Sequence, residues 1–219
     1  MNQSEIREYN IQRVCDTARE MFLKNGIANT SINSIAENCG LSPMSIYRYF
    51  KNKDNLAARV WHDSLIWFYD QVFAPNYLQR SRNMDNGYDK FRACMDTYIS
   101  IYAEHPEFIT YSREMLYIAT RVQESEDKDP EDADFWTRLF HEIPVPVMKA
   151  LREGVEDGSI RPDTDINKVY QMVTNIYTGT NVFSDISSLD IFRYTAELLC
   201  QNIRNPESKY RVTLVEKNA

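Results

Sequence analysis

The chain has 219 residues, 43% of them hydrophobic, and a formal net charge of −7. It is therefore long enough to bury one or two hydrophobic cores and too acidic to coat nucleic acid through charge alone. Its four cysteines, Cys15, Cys39, Cys94 and Cys200, form no Cys-x-x-Cys pair, which argues against a zinc ribbon or a disulfide scaffold and suits a reducing cytosol.

The N-terminus is charged, and no apolar run approaches the roughly 20 residues that span a bilayer. These features argue against a signal peptide and a membrane span. We therefore expect a cytoplasmic protein that has no membrane partner.

Apolar residues recur at helical spacing along the whole chain. Spacings of three and four residues occur in the ranges 11–22, 91–102, 108–122, 169–183 and 192–203. Gly26 is expected to end the first helix, and Pro106 to begin one in the middle of the chain. No strictly alternating run indicates a strand. The sequence therefore predicts an all-α fold with nine or ten helices.

Residues 31–56 contain the start and stop signals of three consecutive helices. Ser31 can cap a short helix that ends at Gly40, and Ser42, followed by Pro43, can cap a second. Asn52 can cap a third helix. The residues expected to face inward are Ile32, Ile35, Ala36, Ile46 and Phe50. Two short helices joined by a Gly-containing turn and braced by a long helix form a helix-turn-helix, whose second helix enters the major groove of DNA.

Residues 10–60 resemble the DNA-binding domain of the TetR family of regulators. The matching residues are Ala18, Phe22, Gly26, Thr30, Ser31, Ile32, Ile35, Ala36, Gly40, Leu41, Ser42, the run 45–53 and Leu56. The resemblance implies a three-helix DNA-binding domain at 1–52, a larger helical ligand-binding and dimerisation domain at 53–205, and a C-terminal tail at 206–219. It also implies a repressor that binds double-stranded operator DNA as a homodimer and is released by a small-molecule effector.

The resemblance assigns DNA contacts to nine residues: Thr30, Ser31, Ser42, Pro43, Met44, Ser45, Tyr47, Tyr49 and Lys53. The outward position of Arg48 on the second short helix makes it a tenth candidate. Hydroxyl, tyrosine and lysine donors reach phosphates, and the outer face of the recognition helix reads base edges. Met44 suggests an apolar contact with a thymine methyl group. Charge agrees with this assignment, because residues 1–60 carry a net charge of +2 and the remainder −9. A purely capping role for Ser42, a packing role for Tyr47 and a solvent-facing Arg48 remain open.

Residues 60–185 are rich in large rings, and the resemblance places an effector pocket among the middle helices. The candidates to line it are Trp67, Tyr98, Tyr102, Tyr111, Met115, Trp136 and Tyr177. Buried tyrosine hydroxyls need partners, which a ligand can provide, although a plain hydrophobic core is the alternative for each residue. We expect a small, largely apolar or aromatic effector, and we expect the helix that begins at Lys53 to transmit its binding.

The last two predicted helices, at about 165–184 and 188–204, carry apolar stripes that need a partner. The resemblance makes them half of a four-helix dimer interface, with Gly179 and Phe192 in it. Packing within one chain is the alternative.

Other functional classes receive little support from the sequence. The three histidines are dispersed, and no HExxH motif, Gly-rich phosphate loop or GxSxG motif occurs, so we expect no catalytic site, metal site or cofactor. The acidic stretch 124–134 suits a solvated loop better than a cation site. An activator, or a regulator gated by a partner protein, remains an alternative.

Overall fold

The computed structural model describes residues 2–124, 145–179 and 187–210. These residues form ten α-helices and one π-helical segment, and their only extended pairing is a single bridge between Ile160 and Arg204. The helices are α1 (Gln3–Asn25), α2 (Ile32–Asn38), α3 (Pro43–Phe50), α4 (Lys53–Phe68), the π segment (Tyr69–Phe73), α5 (Ala74–Ser81), α6 (Gly87–Glu104), α7 (Pro106–Glu124), α8 (Pro146–Asp157), α9 (Ile166–Thr178) and α10 (Ser188–Ile203). The predicted all-α class is confirmed.

The chain divides into two compact units. The first contains Met1–Phe68 and His105–Ile143, and the second contains Tyr69–Glu104 and Pro144–Ala219. This division differs from the predicted boundary after residue 52, because α4 and α7 belong to the same unit as the three N-terminal helices. The predicted acidic loop and Trp136 lie outside the described residues, apart from Glu124 at the end of α7.

The core of the first unit is formed by α1, α2, α3, α4 and α7. Ala57 and Ala58 are fully buried on α4, so neighbouring helices can approach closely. Tyr111 of α7 stacks on Phe22 of α1 with 6.1 Å between ring centroids, and its hydroxyl donates a 3.0 Å hydrogen bond to the Ala57 carbonyl. The polar atom that this ring brings into the core is therefore satisfied.

The second unit is organised around the crossing of α6 and α8. A Cβ atom at Gly87 would overlap the backbone of Gly154, so the two helices meet at a contact that only glycine permits. The first turn of α6 is fixed by polar contacts, because the Gly87 amide donates to Asp157 at 2.7 Å and the Tyr88 amide to Ser159 at 3.0 Å. This arrangement holds the aromatic side chains of α6 in place.

Candidate functional site

The helix-turn-helix forms as its capping residues predict. The Ser31 hydroxyl accepts from the Ser34 amide at 3.0 Å, and the Ser42 hydroxyl accepts from the Ser45 amide at 3.2 Å. Gly40 takes a φ of 62° in the turn between α2 and α3. The Asn52 side chain accepts from the Asn55 amide at 2.7 Å and so caps α4. The predicted starts of all three helices are confirmed.

Helix α3 has one buried face and one exposed face. Ile46 and Phe50 are buried in the first unit. Met44 is 75% exposed and Tyr47 is 47% exposed, and Arg48 is also exposed. Pro43, Ser45 and Tyr49 are half-buried, and Ser31 and Ser42 are exposed. The exposed face therefore offers an apolar side chain, a phenol and a guanidinium to a partner.

Thr30 and Lys53 hold the turn between α1 and α2. Thr30 is only 1% exposed, and its hydroxyl donates to the Gly26 carbonyl at 2.8 Å. The Lys53 ammonium donates to the carbonyls of Ile27 at 2.9 Å and Thr30 at 3.1 Å. The sequence assigned both residues to DNA contact. Because the Thr30 hydroxyl is buried and bonded, its position suits support of the turn rather than contact with a surface ligand.

Two arginines of α1 that the sequence interpretation did not select lie next to the helix-turn-helix. Arg13 donates to the Cys39 carbonyl at 2.6 Å, beside the turn at Gly40. The guanidinium carbon of Arg7 lies 5.8 Å from the centre of the Tyr49 ring, and that of Arg48 lies 5.5 Å from the same centre. The net positive charge of residues 1–60 was the available signal, but it does not show which cations adjoin α3.

Helix α7 is bonded directly to the turn between α1 and α2. The Glu114 carboxylate accepts from the Ile27 amide at 2.7 Å, and Arg121 pairs with Asp54 in the first turn of α4. The predicted effector residues Tyr111 and Met115 of this helix are buried in the core of the first unit. Neither side chain is therefore grouped with the predicted effector residues of the second unit.

Three of the predicted effector residues do lie together, in the second unit. Tyr98 and Tyr177 have ring centroids 5.0 Å apart, and Tyr102 and Tyr177 have centroids 5.9 Å apart. Phe73 and Phe192 join this ring cluster, at 4.8 Å from Tyr98 and 5.5 Å from Tyr177. The sequence interpretation did not include these two phenylalanines, since helical spacing shows a buried face but not its neighbours.

The tyrosines of the ring cluster are desolvated without being completely buried. Burial raises the pKa of the Tyr98 and Tyr177 hydroxyls above the ordinary value, so both are neutral phenols. Both side chains nevertheless remain half-buried rather than sealed. Such a cluster can stack on an apolar or aromatic molecule and donate hydrogen bonds to it. Trp67, another predicted member, is 60% exposed and lies in the first unit.

An apolar stripe is exposed on the second unit. Ile191, Tyr194 and Leu198 follow helical spacing along α10 and are 38%, 66% and 46% exposed, and Met172 of α9 is 46% exposed. Phe192, which the sequence placed in the dimer interface, is 1% exposed and packs within its own unit. The prediction that Phe192 lies in a dimer interface is therefore wrong, because the apolar face of α10 that stays exposed in the described part of the chain is the opposite one.

The described residues contain neither a candidate metal site nor a candidate membrane span. Of the residues that the structure describes, no group of three or more His, Cys, Asp or Glu side chains is placed to hold a metal ion. No helix in those ranges is long and apolar enough to cross a bilayer.

Comparison with known proteins relates this geometry to a family. The profile described as bacterial regulatory proteins, tetR family, matches residues 14–60. The transcriptional repressor KstR2 of Mycolicibacterium smegmatis is 26% identical over 159 residues, which cover 71% of this chain and 70% of that protein.

Solved structures of regulators share the fold. FadR of Bacillus subtilis, solved with stearoyl-CoA, superposes with a TM-score of 0.60 at 17% identity, over 88% of this chain and 99% of that chain. AibR, solved with isovaleryl coenzyme A and operator DNA, gives a TM-score of 0.53 at 20% identity, over 86% and 97% of the two chains.

Proposed function

We propose that the chain is a TetR-family transcription repressor that binds operator DNA as a homodimer and releases that DNA when a small molecule binds, because residues 14–60 match the tetR family profile and the repressor KstR2 is similar over 71% of the chain. The exposed face of α3 is the observation that carries this proposal. Its side chains project from a short helix that is capped at Ser42 and anchored by Ile46 and Phe50. As a regulator of transcription, the chain has no catalytic role and acts in the cytoplasm, where bacterial DNA lies.

The side chains of α3 divide into groups that position the protein and groups that read sequence. Tyr47 and the hydroxyls of Ser31 and Ser42 suit phosphate contacts, which carry no sequence information. Met44 suits apolar contact with a thymine methyl group, and Arg48 suits the acceptors of guanine or a phosphate. Lys53 holds the turn before α2 through two carbonyls and adds a positive charge that suits a phosphate contact.

A homodimer follows from the geometry of DNA reading. One α3 helix reads one half-site, and a near-palindromic operator presents two half-sites about 34–36 Å apart when they are adjacent. The stripe formed by Ile191, Tyr194 and Leu198 is the surface on which a second copy would pack, because a twofold interface uses the same patch on both chains.

Effector binding is assigned to the ring cluster of the second unit. Its neutral phenols and phenylalanines suit a small, largely apolar or aromatic molecule with one or two hydrogen-bonding groups. The chain leaves the first unit after Phe68, the last residue of α4, and returns at His105, next to the start of α7. Both helices hold the turn that precedes α2, through Lys53 and Glu114, so a shift of either one would move the reading helices.

Release of DNA requires an effector that binds two conformations of the protein with different affinities. A ligand displaces DNA only when its affinity for the conformation that cannot bind DNA is higher than its affinity for the conformation that can. Coupling of about 1–3 kcal/mol changes operator affinity by about 5–150-fold. No unfolding of either unit is needed for a change of this size.

Selection of duplexes from a random library, followed by fluorescence anisotropy on the enriched sequence, tests the proposal. We expect a near-palindromic operator, and we expect Tyr47→Ala to weaken binding by roughly tenfold, which is about 1.4 kcal/mol. Tyr117→Ala, which removes a 72%-exposed tyrosine from α7, is the matched control and should bind as the wild type does. Failure of the wild-type chain to enrich any sequence would contradict the proposal.

Release is tested by adding compounds to the preformed complex. A panel of aromatic acids and acyl-CoA thioesters of increasing length covers apolar ligands with one polar end. The inducer must lower operator affinity, and Tyr177→Ala should reduce its potency while leaving DNA binding intact. A compound that binds without changing operator affinity is not the inducer.

A further inference from the structure

Two cations from different helices lie over one aromatic ring at the edge of the recognition helix. Arg7 belongs to the second turn of α1 and Arg48 to the last turn of α3, and both guanidinium groups lie within 6 Å of the Tyr49 ring centre, at 5.8 and 5.5 Å. We propose that Arg7, Arg48 and Tyr49 form a binding site for a phosphate of the operator backbone. The inference rests on the proposed function, because it requires α3 to face DNA.

The two arginines of this site have no carboxylate partner among the described residues. In the described part of the chain, neither Arg7 nor Arg48 forms an ion pair with a carboxylate. The nearby Glu5 uses both carboxylate oxygens on Asn2, at 2.8 Å to its amide and 3.1 Å to its side chain. The two guanidinium carbons are at most about 11 Å apart, which is close to the screening length of about 8–10 Å at physiological salt. A bound anion would relieve their repulsion.

The first turns of α1 are helical without being buried. Residues 3–9 are all exposed, so burial does not explain why they continue the helix. A capping box stabilises them instead, since the Glu5 amide donates to the Asn2 side chain at 2.9 Å while the Glu5 carboxylate accepts from the Asn2 amide. This local support places Arg7 beside Tyr49. The first turns of α1 therefore contact α3 through Arg7 and are not buried in the core.

The residues present match the chemistry of a phosphate diester. A guanidinium offers paired N–H donors that fit two phosphate oxygens, and a tyrosine hydroxyl adds a neutral donor. Tyr49 is half-buried against the core of the first unit, which keeps its ring fixed while both arginines approach it. A phosphate contact made by Arg7 would extend the DNA interface from α3 to α1.

Salt dependence of binding distinguishes this site from a general effect of charge. Loss of one phosphate contact reduces the slope of log affinity against log salt by about 0.9 on duplex DNA. We expect Arg7→Ala in the full-length protein to reduce the slope by this amount and to weaken binding to the operator and to an unrelated duplex by similar factors. Arg7→Lys should keep the slope and lose only part of the affinity.

The matched control is Arg152→Ala, which removes the same charge from an exposed position on α8. It should leave the slope unchanged. An equal change of slope in the Arg7 and Arg152 variants would overturn the site, because net charge alone would then explain both.

A second variant tests the placement of Arg7 without changing charge. Asn2→Ala removes the cap, so Arg7 is held less well and DNA binding should weaken less than in Arg7→Ala. In the Arg7→Ala background, Asn2→Ala should cause no further loss. Unchanged affinity and slope in Arg7→Ala, with wild-type operator binding and the expected weakening by Tyr47→Ala, would overturn the phosphate site alone. A wild-type chain that binds no DNA would overturn the proposed function and this site together.

Discussion

The backbone at Gly26 is fixed by two independent constraints. Its φ of 79° and ψ of 159° fall in a region that glycine occupies almost exclusively. A Cβ atom at this position would also lie 3.0 Å from the Glu114 carboxylate, which holds the next amide in the chain. The residue that ends α1 therefore also admits the side chain that ties α7 to the turn before α2.

Replacement of this glycine is expected to be costly for stability. Gly26→Ala should lower the free energy of unfolding by about 1–3 kcal/mol, because alanine strains the backbone and displaces Glu114. Gly158→Ala is the matched control, since Gly158 has a similar φ of 78°, has a ψ of 10° and has no atom near its added Cβ. We expect it to cost less. Urea unfolding measures both, and an equal or larger loss at Gly158 would contradict the role given to Glu114.

Met44 offers a test of sequence reading that is independent of charge. The side chain is 75% exposed on α3, a position where an apolar group has no structural reason to be. Met44→Ala should relax base preference at one pair of each half-site by about 1–3 kcal/mol and leave the salt slope unchanged. Leu78→Ala, which truncates a 62%-exposed leucine on α5, should leave the preference intact. A uniform loss over all sequences would show that Met44 does not read bases.

Local sequence signals were sufficient to predict the residues that cap the helices. They were insufficient to predict the residues that support the turn between α1 and α2. Ser31, Ser42 and Asn52 could be assigned because a cap bonds to an amide only two or three residues away. The contacts of Thr30 and Lys53 with carbonyls in the α1–α2 turn depend on how three helices meet. The family resemblance predicts that they contact DNA, and the structure adds that both support the turn before the reading helices.

At the level of helices, α7 shows what periodicity leaves undetermined. The spacing of Phe108, Tyr111, Met115 and Ile118 correctly indicates one buried face. It does not say which element covers that face, and the expected effector pocket therefore combined Tyr111 and Met115 with the tyrosines of α6 and α9. The structure buries these two side chains with α1 and α4 in the first unit. Only the tyrosines of the second unit remain together.

The apolar stripe of α10 carries a prediction about assembly. Leu198→Asp, alone or with Ile191→Asp, should give monomers that no longer hold an operator, because a desolvated charge on each side of a twofold interface is repelled. Leu78→Asp introduces the same change at an exposed leucine of α5 and should remain dimeric. Phe192 is unsuitable for this test, since a charge at a buried position would disturb folding. Sedimentation or light scattering that still reports a dimer for the α10 variants would place the interface elsewhere.

At the scale of the whole molecule, the distribution of charge suits DNA binding by the N-terminal residues, and the connectivity of the chain links the ring cluster to them. The net charge of +2 in residues 1–60 suits contact with DNA, while the net charge of −9 in the rest disfavours binding through other surfaces. The chain passes between the two units after Phe68, after Glu104 and after Ile143, and the covalent path from the ring cluster to α2 and α3 runs through α4. We therefore expect a signal from an effector to reach α2 and α3 through α4 and α7, because Lys53 and Glu114 are both bonded to the turn before α2.

The four cysteines allow each unit to be followed separately. Cys15 and Cys39 are buried in the first unit, and Cys94 and Cys200 are buried in the second. Burial raises the pKa of the Cys15, Cys94 and Cys200 thiols to about 12, and it also raises the pKa of Cys39. Because the thiolate is the reactive form, a disulfide reagent at pH 8 should label the folded protein only when a unit opens.

Ligands should therefore protect one pair of thiols at a time. In a Cys15→Ala, Cys39→Ala variant, labelling reports the second unit, and an effector bound at the ring cluster should slow it by a factor of about 1 + [L]/Kd. In a Cys94→Ala, Cys200→Ala variant, labelling reports the first unit, and operator DNA should slow it while an unrelated duplex at the same salt has a smaller effect. Rapid labelling of the folded, unliganded protein would contradict the buried placement of the thiols. Protection of the first pair by the effector in the absence of DNA, with no protection of the second, would move the effector site away from the ring cluster.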